Sequence, residues 1–123
     1  MKLTVKGTLP TLNDIIRSAR GNKFASASKK KQYDELVAWS CKASKLTKLG
    51  AKADFTFTWY MKDRRKDKDN IMAGQKFIFD GLQKAKILKN DGWNEIGNIS
   101  HRFEVDKENP RVEVEIKEIT NEY

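Results

Sequence analysis

A chain of 123 residues, 38% apolar and 34% charged with only two prolines, is long enough for one hydrophobic core, too short for two ordinary domains, and unlike a disordered tail. No apolar run approaches a membrane span and the N-terminus lacks a signal-peptide core, so a cytoplasmic protein with no membrane partner is expected. The net charge of +8 sits in residues 1–50, where eleven Lys and Arg face three Asp and Glu, while residues 51–123 carry fourteen of each; a polyanion, nucleic acid ahead of an anionic membrane surface, is the expected partner.

In MKLTVKGTL, Leu3 and Val5 share one face, which reads as a strand ended by Pro10. Residues 10–25 mix turn formers with Arg17, Arg20 and Lys23 and hold no sustained period, so a long exposed loop, or a short helix followed by a loop, is expected. Ser26 or Ser28 then caps a helix running to about Lys48, closed by Gly50, with Tyr33, Leu36, Trp39, Ala43 and Leu46 on one side. DFTFTWY sets Phe55, Phe57 and Trp59 against Thr56, Thr58 and Tyr60, the pattern of a strand with a buried aromatic face.

From Asp69 to about Lys86, Ile71, Gly74, Ile78, Leu82 and Ala85 recur at helical steps, with Asp69 or Asn70 as N-cap. Gly74 and Gly81 on this helix mean either close packing or mere tolerance. After the turn signal Asn90-Asp91-Gly92, residues 98–106 and 111–118 read as an antiparallel hairpin joined by KENP, with Val112, Val114 and Ile116 inward. The expected architecture is one α+β domain over residues 1–123, two helices against a mixed four-stranded sheet.

The run RRKDKDN places Asp67 and Asp69 two residues apart among Arg64, Arg65, Lys66 and Lys68, where strand gives way to helix. In extended chain such a pair points one way and can converge on a cation. An isolated D-x-D is more often a helix cap and a charged turn. A calcium loop fails because Ile71 and Met72 stand at its fifth and sixth positions, and there is no phosphate-binding glycine loop. With His101 the only histidine and Cys41 the only cysteine, a zinc set is excluded, and any metal would need oxygen ligands. His101 itself reads as a structural or surface group. On a helix at about 100° per residue, Lys76 falls about 20° from Asp69 and Asp80 about 20° to the other side. Lys76 can therefore lean back toward the aspartates, or pair with Asp80 at i,i+4.

The segment RRKDKDNIMAGQKFIFDGLQKAKILKNDGW closely resembles the core of the RusA family of Holliday-junction resolvases, small bacterial and phage endonucleases. Asp67, Asp69, Asn70, Lys76, Asp80, Leu82 and Asp91 fall on that family's pattern of a basic approach, D-x-D-N, K-x-x-x-D-x-L and a later acidic turn. LPTLND resembles its N-terminal loop and ENPRVEVEI its final strand. The interval from Asp69 to Asp80 is three residues longer than in familiar members, so counting from Asp69 puts Ala73 at the lysine, and counting back from Asp80 restores Lys76.

The resemblance implies a Mg²⁺-dependent, structure-selective endonuclease that resolves four-way DNA junctions by paired nicks leaving 5′-phosphates. Asp67, Asp69 and Asp91 would hold the metal, as two ions with Mn²⁺ as a substitute, and Lys76 would act on the phosphate with Asp80 in support. Asn13, Arg17, Arg20, Lys23, Arg64, Arg65, Lys66, Lys68 and Asn70 would meet DNA, with Lys29 to Lys31 extending the surface. It also implies a symmetric homodimer, since paired nicks need two sites, and no organic cofactor. Two other readings stand beside it: a non-catalytic module for branched DNA, and a basic RNA-binding protein.

Overall fold

The computed structural model describes residues 1–119, with residues 23–25 described in their backbone only. Its elements in chain order are β1 (Lys2–Lys6), α1 (Leu12–Arg20), α2 (Lys23–Ala43), β2 (Ala53–Met61), α3 (Lys68–Met72), α4 (Gln75–Lys84), β3 (Ile96–Val105) and β4 (Arg111–Glu118). The strands form one mixed sheet in the order β1-β4-β2-β3. No helix among the described residues is long and apolar enough to cross a membrane.

The aromatic strand takes the middle. Phe55 and Phe57 are fully buried and Trp59 nearly so, which favours pairing on both edges of β2. On one side it runs parallel to β3, with Phe57 opposite His101 and Trp59 opposite Phe103. On the other it runs antiparallel to β4, with Phe57 opposite Val114. The expected β3–β4 hairpin is therefore not formed. The helical segment between β2 and β3 is a crossover, which makes that pair parallel, and KENP instead carries the chain past β2 to its other edge. Val112, Val114 and Ile116 do face the core, as their alternation indicates.

Among the described residues four helices rather than two accompany the sheet. Residues 12–20 are helical because Thr11 and Asp14 form a capping box: the Asp14 amide donates to Thr11 Oγ1 (3.3 Å) and the Thr11 amide to Asp14 Oδ2 (3.0 Å). α2 starts before Ser26 and ends by Ala43, and Lys45, with φ of 58°, takes the left-handed turn that was expected at Gly50. Its buried residues are Val37, Ser40 and Cys41, a face rotated from the expected one; Trp39 is 66% exposed. The cause is α4, whose Gly81 carries no Cβ and lets Val37 sit directly over its backbone. Burial pushes the Cys41 thiol up to about 11, which leaves it an inert core group.

The single helix expected from Asp69 onward is two, joined through Ala73 and Gly74 by i→i+3 bonds: Gly74 amide to Ile71 carbonyl (3.1 Å) and Phe77 amide to Gly74 carbonyl (3.1 Å). A methyl on Gly74 would stand 3.0 Å from the Trp59 ring, so the glycine permits the joint to press on β2. α4 then buries Phe77, Ile78, Phe79 and Leu82, with Phe79 meeting Phe55 and Phe57 edge-on at 5.1 and 5.8 Å.

Candidate active site

Met61 ends β2, and residues 62–67 turn the chain into α3. Asp63 shapes that turn by accepting the Arg65 amide (3.0 Å). Asp67 occupies the N-cap position of α3 in extended conformation (φ −69°, ψ 152°), yet its side chain makes no capping bond. The commonest structural use of such an aspartate is thus not exercised. Asp69 lies in the first turn of α3 and accepts the Asn70 amide at 2.9 Å. The pair accordingly spans a change from extended to helical backbone rather than one extended stretch. Both carboxylates are exposed, as are Arg64, Arg65, Lys66 and Lys68.

Asn70 fastens this turn to the N-terminal half of the chain. Its Oδ1 accepts the Asn13 amide at 3.1 Å, so α1 is docked on the residue after the D-x-D. Lys68 is drawn the other way, its ammonium 5.5 Å above the Phe103 ring. Arg17 and Arg20 stand exposed on α1, Arg17 3.6 Å from Asp14. The Thr11 amide, with help from Lys66 and Arg17, holds the Asp14 carboxyl below the usual range. Lys23 falls outside the described side chains.

Lys76 takes the i,i+4 alternative: its Nζ donates to Asp80 Oδ1 at 3.4 Å. Asp80 is shared with Lys30, whose ammonium lies 3.0 Å from Asp80 Oδ2 and 2.7 Å from Asp34 Oδ2, an ionic tie between α4 and α2. The two carboxylates, Asp34 before Asp80, raise the Lys30 pKa. Asp80 therefore orients Lys76 and joins two helices at once, a role that sequence spacing only half indicates.

Asp91 is elsewhere. It lies exposed in the turn after α4, its amide held by Asn90 Oδ1 (2.8 Å), and the chain then reaches the Ala53 end of β2, where the Ala53 amide donates to the Glu95 carbonyl (3.1 Å). Asp67 and Asp69 follow the Met61 end. At about 3.3 Å per residue β2 spans roughly 26 Å, so one chain does not bring the three aspartates together. Among the described residues no three His, Cys, Asp or Glu side chains are grouped to hold a metal. Asp67 and Asp69 alone supply the hard oxygen donors that suit Mg²⁺, which keeps several waters when bound by one or two carboxylates.

His101 is structural. Its ring stacks on Phe57 (5.0 Å between centroids), Nδ1 accepts Trp59 Nε1–H at 2.9 Å, and Nε2 lies 2.9 Å from Gln75 Oε1. These partners fit the neutral ring, with Nε2–H donating to Gln75, and burial lowers the His101 pKa below its ordinary 6.5. Below pH 6.5 the unfolded chain takes up a proton that the folded chain resists, so this contribution to stability is present above 6.5 and lost as pH falls through the lowered value. Urea midpoints are expected to drop between pH 7.5 and 5.5, and to drop less in His101→Asn.

The family model for endodeoxyribonuclease RusA matches residues 7–117, nearly the whole chain, and the chain belongs to that family. A search of curated proteins returns no match.

Proposed function

We propose that this RusA-family chain is a Mg²⁺-dependent endonuclease that cuts branched DNA, four-way junctions first, by paired nicks leaving 5′-phosphates. The observation that carries the reading is the exposed Asp67–Asp69 turn, with Asp67 unspent on capping α3 and four cations within the same six residues.

Asp67 and Asp69 are the residues that would hold the cation, which when bound would activate water and offset charge on the phosphate. Asp91, at the far end of β2, joins them only from a second chain. This adds a reason for a symmetric homodimer to the need for two related cuts. Arg64, Arg65, Lys66 and Lys68 hold flanking phosphates beside the carboxylates, and Asn13, Asn70, Arg17 and Arg20 extend that surface onto α1. Lys76, oriented by Asp80, donates to the phosphate as negative charge grows on it.

The test is to incubate a synthetic four-way junction, a linear duplex and an RNA hairpin with the protein, with and without Mg²⁺. Paired, symmetric nicks are expected in the junction alone and only with Mg²⁺. No cutting of any DNA, with the junction still bound, would instead support a binding module, and preference for the hairpin an RNA-binding protein.

A further inference from the structure

Between α1 and α2 lies a cleft of about 810 Å³; the proposed function uses Arg17, Lys66 and Lys76 on its wall but leaves its interior, with Lys29 and Tyr33, without a role. Pockets of about 300–1,000 Å³ accommodate groups the size of small ligands. Lys29 and Lys66 line it and carry no salt bridge among the described residues, whereas Lys30 and Lys76, also in its wall, are held by Asp34 and Asp80. Opposite in character are Leu9, Pro10 and Ile15, and the ring of Tyr33. Tyr33 stands against Phe77 with centroids 5.5 Å apart and planes at 60°. Phe77 is 7% exposed, so Tyr33 is the ring with surface left to give.

The cleft adjoins the acidic turn. Lys66 immediately precedes Asp67, and α1, which supplies Ile15 and Arg17 to the lining, is bonded to Asn70 through Asn13. Lys29 and Lys66, neither in a salt bridge among the described residues although Lys66 feels the Asp14 carboxylate in the same wall, stand beside one aromatic ring, and together they match a phosphate joined to a planar base. In a duplex the base faces are covered by their neighbours, and only backbone reaches a cleft of this size. A nucleotide unstacked where arms meet offers both parts.

Resting on the branched-DNA reading above, we propose that the cleft seats one unstacked nucleotide of the branch point, its phosphate at Lys29 and Lys66 and its base on Tyr33. The enzyme then separates a branch from a duplex by whether a nucleotide can leave its stack beside the carboxylates. With Mg²⁺ withheld, Tyr33→Ala is expected to weaken junction binding by about tenfold and linear-duplex binding by less than about twofold. Tyr33→Phe, which keeps the ring, is expected to bind the junction as wild type does.

A second measurement needs no variant. A 5-iodouracil at the branch of a junction is expected to photo-crosslink to Tyr33 of the wild-type protein, and the same base in mid-arm is not. Equal losses on junction and duplex, no loss at all, or branch crosslinks mapping away from the cleft would overturn the seat. A protein that crosslinks at Tyr33 but nicks no DNA with Mg²⁺ overturns the nuclease reading and leaves the seat standing; nicking without that crosslink does the reverse.

Discussion

Asp69→Asn is expected to lower junction cleavage by roughly 10²–10³-fold or more, the scale of losing one preorganised electrostatic group from an active site, while junction binding without metal is kept or tightened. The substitution is nearly isosteric, the residue is exposed, and an asparagine oxygen can still accept the Asn70 amide that Asp69 holds at 2.9 Å. What is removed is one negative charge, the property that a hard cation requires and that a DNA phosphate opposes. Asp67→Asn is expected to act the same way. Asp80→Asn should differ, since it weakens the tie to Lys30 as well as the bond to Lys76, and is expected to lower the urea midpoint together with the rate. Single-turnover nicking and metal-free gel shifts on the same preparations separate these cases. Full cutting by Asp69→Asn would remove Asp69 from the active site.

Gly81→Ala is expected to destabilise the protein by about 2 kcal/mol, although alanine is the better helix former by about 1 kcal/mol. A methyl group there would run into Cβ and Cγ1 of Val37, and Val37 is fully buried, so the two helices must part. Parting α2 from α4 strains the Lys30–Asp80 contact and so shifts the carboxylate that Lys76 also bonds, so cleavage is expected to fall at temperatures where the variant is still folded. Val37→Ala alone should also destabilise, by leaving a hole. The double variant Gly81→Ala/Val37→Ala is expected to be more stable than the sum of the single effects, because the new methyl takes space that the old one vacates. Simple additivity in urea titrations would show that Gly81 is not at the helix contact.

The strands with strict alternation were legible because their apolar face is buried by one layer of helices: Phe55, Phe57 and Trp59 in β2, and Val112, Val114 and Ile116 in β4. Their pairing was not, since adjacency in sequence favours a hairpin between β3 and β4, whereas β2, as the most apolar strand, claims a partner on each edge. For residues 10–25 the short-helix alternative holds, as α1, and the sequence leaves it level with a loop because α1 buries no residue and its only firm signal is T-L-N-D, a capping box with Asp in place of Glu. The buried face of α2 is not legible because a large aromatic, Trp39, points to one side of the helix while Gly81 opens the core to Val37 on another. Asp67, Asp69 and Lys76 stand out in the sequence by their spacing, and Asp91 only through the family resemblance. That Asp91 lies a strand's length from the other two aspartates cannot be read there, because the number of residues between two positions does not say which end of a sheet each reaches.

The strand order also bears on when the site comes into being. Among the described residues β1 has no sheet neighbour except β4, the last of the described elements along the chain. β1 leads directly into α1, the helix that Asn13 fastens to the acidic turn. During synthesis the carboxylates, their cations and α2 therefore leave the ribosome well before β1 can be locked into place, and that pairing is a long-range contact of the kind that slows folding. A growing chain thus carries Asp67, Asp69 and their flanking cations long before β1 can hold α1 against them, and that docking is secured only when β4 slides between β1 and β2.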